Sequence, residues 1–250
     1  MSYMIAVTGK GGVGKTTFCG LLIKNLVESN KKPVLALDAD PNSCLDAALG
    51  VEVLNTIGRA REDVKAEGAA PNISTKELLQ IKLNESLVEA PGFDLIAMGR
   101  PEGAGCYCYA NNVLKSVISE LAGQYPYVVL DNEAGLENLS RRIVQKVDVM
   151  ALVSDASNAG LETLKRLYEL ALEMEVEYNK LALVINRVRN DRLPQKLEEI
   201  KLFTGADYTL ALPDDGEIAE YAETNRSFLE LPADNPVNMQ INKFMREVIR

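Results

Sequence analysis

The chain contains no histidine. A transition-metal site built from it therefore has to use cysteine, carboxylate or backbone donors. General-base work at neutral pH falls to a carboxylate, or to a water that a carboxylate orients. Long hydrophobic runs are also missing. No stretch approaches the roughly 18 consecutive apolar residues that read as a membrane-spanning helix, so none is expected. Strand-like sequence begins at Met4, which leaves no room for a signal peptide. Cysteine is sparse, four in 250 residues. Without an export signal the expected setting is a reducing cytoplasm, where these residues are thiols or metal ligands rather than structural disulfides. Basic residues are outnumbered, 27 against 36, for a net charge of −9. Nucleic-acid binding relies on a basic face, so no such partner is expected. Residues 50–91 hold no repeat and no low-complexity tract. A composition of 47% hydrophobic and 25% charged residues is that of an ordinary globular chain, expected to form a single α/β domain over 1–250.

What is present centres on residues 5–17, Ile-Ala-Val-Thr-Gly-Lys-Gly-Gly-Val-Gly-Lys-Thr-Thr. An apolar strand, Met4 to Val7, leads into Gly9-Lys10-Gly11-Gly12-Val13-Gly14-Lys15-Thr16, which fits the phosphate-loop pattern G-x-x-x-x-G-K-[ST]. Glycines let the backbone turn tightly, and the N–H groups of the loop and the following helix point at an anion. Lys15 would reach the β- and γ-phosphates and Thr16 would hold Mg²⁺. A helix is expected from Thr16 to Ser29. Further buried strands are expected at Pro33–Asp38, Phe93–Met98, Tyr127–Asp131, Val147–Ser154, Leu181–Asn186 and Tyr208–Leu212. Helices are expected at about 111–123, at 161–175 and from Pro236 onward, the last packed on the sheet. Residues 50–91 read as a partly helical insert. The fold class is thus α/β, a mainly parallel, doubly wound P-loop NTPase sheet of about seven strands flanked by helices. Two strands end in acids, at Asp38 and Asp131, where such sheets place ligand-binding residues. The second has the Walker-B form, in which a carboxylate supports a hydrated Mg²⁺.

Lys10, directly after the first glycine, is not required by an ordinary phosphate loop. Gly-Lys-Gly-Gly-Val-Gly-Lys-Thr-Thr resembles the variant loop of the family that contains MinD, ParA and the nitrogenase iron protein. The resemblance implies an ATP/ADP site, a homodimer closed on ATP, and a Lys10 that reaches the partner's nucleotide. By the same resemblance Asp38-Ala-Asp40-Pro-Asn is the first switch. Asp40 orients the attacking water and Asp38 stands behind the magnesium. Asp131 followed by Ala134-Gly135 resembles the second switch, with Gly135 near the γ-phosphate. Asn186 and Arg187 resemble the adenine-reading position, and Leu212-Pro213-Asp214 the loop against the base. Thr17 belongs to the same nucleotide-binding set.

Cys106-Tyr107-Cys108 follows a Gly-rich loop. Two thiolates do not complete a tetrahedral site, and with no histidine the simplest completion is the same pair from a second subunit. Zn²⁺ would suit that site and Ni²⁺ could be held too. Packed small hydrophobes or a redox pair are the other readings of these residues. With Asp38 to Cys44, the phosphate loop and Val184-Ile-Asn-Arg-Val-Arg189, this element resembles the CooC-type nickel-insertion ATPases. That resemblance implies one metal per dimer at Cys106 and Cys108, and delivery of nickel to carbon monoxide dehydrogenase or acetyl-CoA synthase. Positioning or partition ATPases of the MinD/ParA type, and iron–sulfur scaffold or electron-transfer ATPases, are the alternatives. Cys44 is expected to be buried.

Overall fold

The computed structural model describes residues 2–60, 81–82, 84–100, 121–133, 146–189 and 195–249. Its strands are β1 (Tyr3–Gly9), β2 (Val34–Asp38), β3 (Val88–Ala90), β4 (Phe93–Ala97), β5 (Tyr127–Asp131), β6 (Lys146–Asp155), β7 (Glu177–Val188) and β8 (Tyr208–Pro213). They form one eight-stranded sheet in the order β3-β4-β2-β5-β1-β6-β7-β8. Every pairing is parallel except β3 with β4. The expected α/β class holds, with one strand more than expected. The extra strand, β3, is three residues of mixed polarity (Val-Glu-Ala) at the sheet edge, too short for a periodicity signal. It falls inside the insert that the sequence suggested was partly helical.

The central strands are buried on both faces. Successive residues of β1 alternate between two cores: Ile5 and Val7 join one, Met4 and Ala6 the other. This is why these strands read as continuous apolar runs rather than as alternation. Helices α1 (Lys15–Glu28) and α6 (Pro236–Val248) cover the first face. Helices α3 (Asn158–Glu173) and α4 (Lys196–Thr204) cover the second. The short α2 (Leu45–Leu49) and α5 (Gly216–Glu223) flank α1 near its start. Strand β7 begins four residues earlier than expected, because Glu177 to Lys180 alternate between exposed and half-buried before the buried run.

The C-terminal helix α6 buries Val237, Ile241, Phe244, Met245 and Val248, so its apolar stripe is spent on the core. Asn235 starts it, accepting from the N–H groups of Val237 and Asn238, with Pro236 in the first turn. A polar seam fixes α6 on α1. Fully buried Asn25 donates to Leu21 O at 2.8 Å and to Asn238 Oδ1 at 2.8 Å, and accepts from Asn242 Nδ2 at 2.7 Å. Asn25→Ala leaves the buried Asn238 amide and the half-buried Asn242 amide without this partner. It is expected to cost about 2–4 kcal/mol, measured as a lower denaturant midpoint at unchanged slope. A loss well under about 1 kcal/mol would show that the seam is not a fastening. Among the described residues no helix is long and apolar enough to cross a membrane.

Candidate functional site

The loop between β1 and α1 lies at the carboxyl ends of the strands, where β1 is flanked by β5 on one side and β6 on the other. Open parallel sheets bind ligands at such a point. Two glycines are dictated by geometry. A Cβ on Gly9 would stand 2.2 Å from the Val153 carbonyl oxygen of β6. Gly14 has a left-handed φ of 94° and leads directly into α1. The two loop lysines differ in environment. Lys10 is exposed, whereas Lys15 is 7% exposed, with its ammonium donating to Lys10 O at 3.4 Å. The loop thus encloses one cation and presents the other.

The register of the sheet sets the acids side by side. Asp38 of β2 pairs with Asp131 of β5, and Asp131 lies one strand from Val7. Asp38 is fully buried. Its Oδ1 accepts from Asp40 N at 3.0 Å and its Oδ2 from Leu45 N at 3.0 Å, so one carboxylate ties the strand end to the start of α2. Burial, and then the Asp131 charge, push its pKa up to about 7. Asp131 is 1% exposed; its carboxyl faces the Thr16 hydroxyl and the Cys19 thiol, but neither oxygen makes a hydrogen bond of ordinary geometry among the described residues. Burial pushes it up to about 6, against the pull of the Thr16 hydroxyl and the Lys15 ammonium. A buried carboxylate pair without a compensating cation is costly. The donor set, two acids beside the Thr16 hydroxyl, suits a hard divalent ion that keeps its waters. The residues present therefore fit Mg²⁺.

Asp40 sits on the turn after β2. Its Oδ1 accepts from Asn42 N at 2.9 Å and Asn42 Nδ2 at 3.1 Å. Ser43 closes the turn, its N–H donating to Asp40 O at 3.0 Å and its hydroxyl accepting from Gly99 N at 3.2 Å. Cys44 precedes α2 and is exposed, not buried as expected. The turn directs Leu45 inward and leaves Cys44 outside. Its thiol is pushed up by partial burial and by the charges of Asp38 and Asp40. Cys19, by contrast, lies fully buried on α1.

Gly14, Thr17, Asn186, Arg187, Leu212, Pro213 and Asp214 line one cleft beside the start of α1, so the structure gathers the residues expected around a base. A larger groove of about 490 Å³ lies along β8 and α6 and includes none of the loop residues. Gly135, Cys106 and Cys108 lie outside the described residues, as does the helix expected from residue 111 up to residue 120. Among the described residues no three of Cys, Asp and Glu gather as a metal site.

Asn132 and Asp155 escaped the sequence reading, and Asp215, at the end of the stretch that resembles the loop against the base, has a role it did not suggest. Asn132 is buried, and both its N–H and its Nδ2 donate to Val7 O at 3.0 Å, pinning the end of β5 to β1. Asp155 ends β6. The Ser157 hydroxyl, then the Ser157 N–H donating at 2.8 Å, hold its carboxyl below the usual range, helped by the charges of Lys10 and Arg187. An acid closing a buried strand was a signal available for it, as for Asp131. Asp215 starts α5, accepting from Ile218 N at 2.9 Å, and also accepts from Asn235 Nδ2 at 3.2 Å, so it joins the starts of two helices at the wall of the cleft.

The profile of the CobQ/CobB/MinD/ParA nucleotide-binding domain matches residues 4–228. An uncharacterized ATP-binding protein of Methanocaldococcus jannaschii is 43% identical over 250 residues, 98% of each chain. The carbon monoxide dehydrogenase accessory protein CooC of Rhodospirillum rubrum is 32% identical over 199 residues, 71% of this chain and 74% of its own. In fold, the septum site-determining protein MinD of Pyrococcus horikoshii, solved with Mg-ADP, aligns with a TM-score of 0.74 at 21% identity. That alignment covers 100% of this chain and 97% of the MinD chain. With the glycine-cradled loop, the paired acids and the adjoining cleft at one end of a mainly parallel sheet, these matches show that the chain belongs to the CobQ/CobB/MinD/ParA family of nucleotide-binding P-loop proteins.

Proposed function

We propose that the chain hydrolyses ATP to ADP and phosphate as a homodimer closed on nucleotide, and that this cycle delivers nickel to carbon monoxide dehydrogenase or acetyl-CoA synthase. The delivery half is carried by one conjunction: 32% identity to the CooC accessory protein together with Cys106-Tyr107-Cys108. The hydrolytic half is supported by the loop and its two acids. Lys15, enclosed in the loop, binds the β- and γ-phosphates, and the loop N–H groups share that charge. Thr16, with Asp38 and Asp131 behind it, would hold Mg²⁺, which supplies further neutralisation of the phosphates. Asp40 orients the attacking water, a task no histidine in this chain can take. Exposed Lys10 is free to stabilise charge on the partner's nucleotide.

Cys106 and Cys108 of two subunits supply four thiolates to the cargo, with Zn²⁺ able to take the place of Ni²⁺. Because the cargo on the dimer axis and the two nucleotides share one interface, each alters affinity for the other. The alternative is a MinD/ParA-type positioning or partition role. The net charge of −9 and the burial of the α6 apolar face weigh against DNA and lipid as partners.

The test titrates metal-free, reduced protein with Ni²⁺ or Zn²⁺, with and without ADP or ATP, while mass in solution is followed. A single tightly held ion shared by two subunits is expected, lost in Cys106→Ser and Cys108→Ser with ATP binding retained. Metal binding unchanged in both variants would overturn the delivery reading, and sedimentation with liposomes would then test the positioning alternative.

A further inference from the structure

The sequence marks Asn186 as a residue that meets a base. The structure shows its amide already engaged elsewhere. Its Nδ2 donates to the Val13 carbonyl at 2.8 Å, across 173 residues of sequence, and its Oδ1 accepts from Arg187 N at 2.9 Å. Three local departures converge on this contact. Gly14 makes room for it, since a Cβ there would lie 2.3 Å from the Asn186 Nδ2. Arg187 adopts a left-handed φ of 56°. The pairing of β7 with β8 shifts register between Ile185 and Val188. Irregularities of this kind re-aim side chains beside functional sites.

The Val13 carbonyl sits between Gly12 and Gly14, whose φ values are 76° and 94°. A loop turning through two such glycines has little conformational resistance of its own. Its N–H groups converge on an anion only while something outside the loop holds the curve. We propose that Asn186 is a positioning residue for the phosphate loop: its amide clamps the Val13 carbonyl and preorganises residues 9–16 before any ligand arrives. This rests on the nucleotide-binding reading above and deepens it. A primary amide has two N–H groups, so one can brace the loop while the other remains for a base. The base end and the phosphate end of the site are then coupled through one side chain, and the coupling is reciprocal.

The test compares the full chain with its Asn186→Ala and Asn186→Asp variants. The aspartate variant keeps shape and an acceptor for the Arg187 N–H, but at neutral pH cannot donate to Val13. The first readout is amide hydrogen exchange in nucleotide-free protein. Residues 10–16 are expected to exchange roughly fivefold faster in both variants, with the strands unchanged. The second is affinity for inorganic tripolyphosphate, which has no base. Both variants are expected to bind it roughly five- to tenfold more weakly. Unchanged loop exchange and tripolyphosphate affinity, with only ATP weakened, would make Asn186 a base reader and overturn the proposal. So would exchange accelerated throughout the alanine variant while the aspartate variant keeps wild-type loop exchange. If wild-type protein binds neither ATP nor tripolyphosphate but both variants loosen the loop, the nucleotide reading fails and the brace stands.

Discussion

Asp40→Ala is expected to leave ATP bound and essentially unhydrolysed, with the rate down by about 10²–10⁴-fold, the range lost when a positioned acid–base group is removed. Two features of the site set this expectation. The Asp40 Oδ1 is committed to Asn42, by bonds of 2.9 and 3.1 Å, while among the described residues Oδ2 carries no hydrogen bond and is available to a water. No imidazole exists in the chain to substitute for it. Asp40→Asn separates shape from chemistry. It can preserve the acceptor of the turn but removes the charge, and it should be nearly as inactive as the alanine variant. Single-turnover hydrolysis alongside nucleotide binding makes the distinction. Affinity within about threefold of wild type, a difference below 1 kcal/mol, with hydrolysis lost is the expected pair of results. An asparagine variant that turns over at the wild-type rate would remove Asp40 from the mechanism.

The second large effect couples stability to function. Asp38 and Asp131 have folded-state pKa values of about 7 and about 6, both raised above the unfolded value near 4. Between those limits the folded state binds more protons than the unfolded state. The stability these groups confer is therefore fully present below about pH 4 and is lost as pH rises through about 6 to 7. For ligand-free protein, the two acids make the fold less stable at pH 8 than at pH 5. Asp131→Asn removes a buried charge whose oxygens make no hydrogen bond of ordinary geometry among the described residues, the Thr16 hydroxyl and Cys19 thiol offsetting its burial only in part. At pH 8 it should gain about 3 kcal/mol, or several degrees in Tm, and at pH 5 about half as much. Hydrolysis should be lost at both, since the neutral amide does not support a divalent cation in the same way. Asp38→Asn should behave oppositely. Its two oxygens accept from two backbone N–H groups, at Asp40 and Leu45, and an amide would turn a donor toward one of them, so stability should fall. Thermal melts of both variants across pH check the pair. An Asp131→Asn variant that is no more stable than wild type at pH 8 would show that the site does not store this strain.

Much of this architecture was legible beforehand for a simple reason. In a parallel sheet buried on both faces, strands are unbroken apolar runs, and the first polar residue after each run marks the edge where ligands bind. Tyr127–Asp131 was located to the residue. Where a strand is half exposed or very short, as at Glu177–Lys180 and Val88–Ala90, that contrast disappears and the boundaries were misjudged. Cys44 was misjudged because a sulfur's burial depends on which way a turn aims it, and here Leu45 takes the inward position.

The sequence by itself determined the loop chemistry, the strand-end acids and the sheet class, because each is written in residues close together along the chain. Only the tertiary structure decided that Asp38 and Asp131 stand in register, that Lys15 is enclosed while Lys10 is exposed, and that Asn186 grips the carbonyl of Val13. Those facts depend on strand order and on contacts between residues up to 173 positions apart. Their distances, and the electrostatics that follow from them, come into being only when the sheet has assembled.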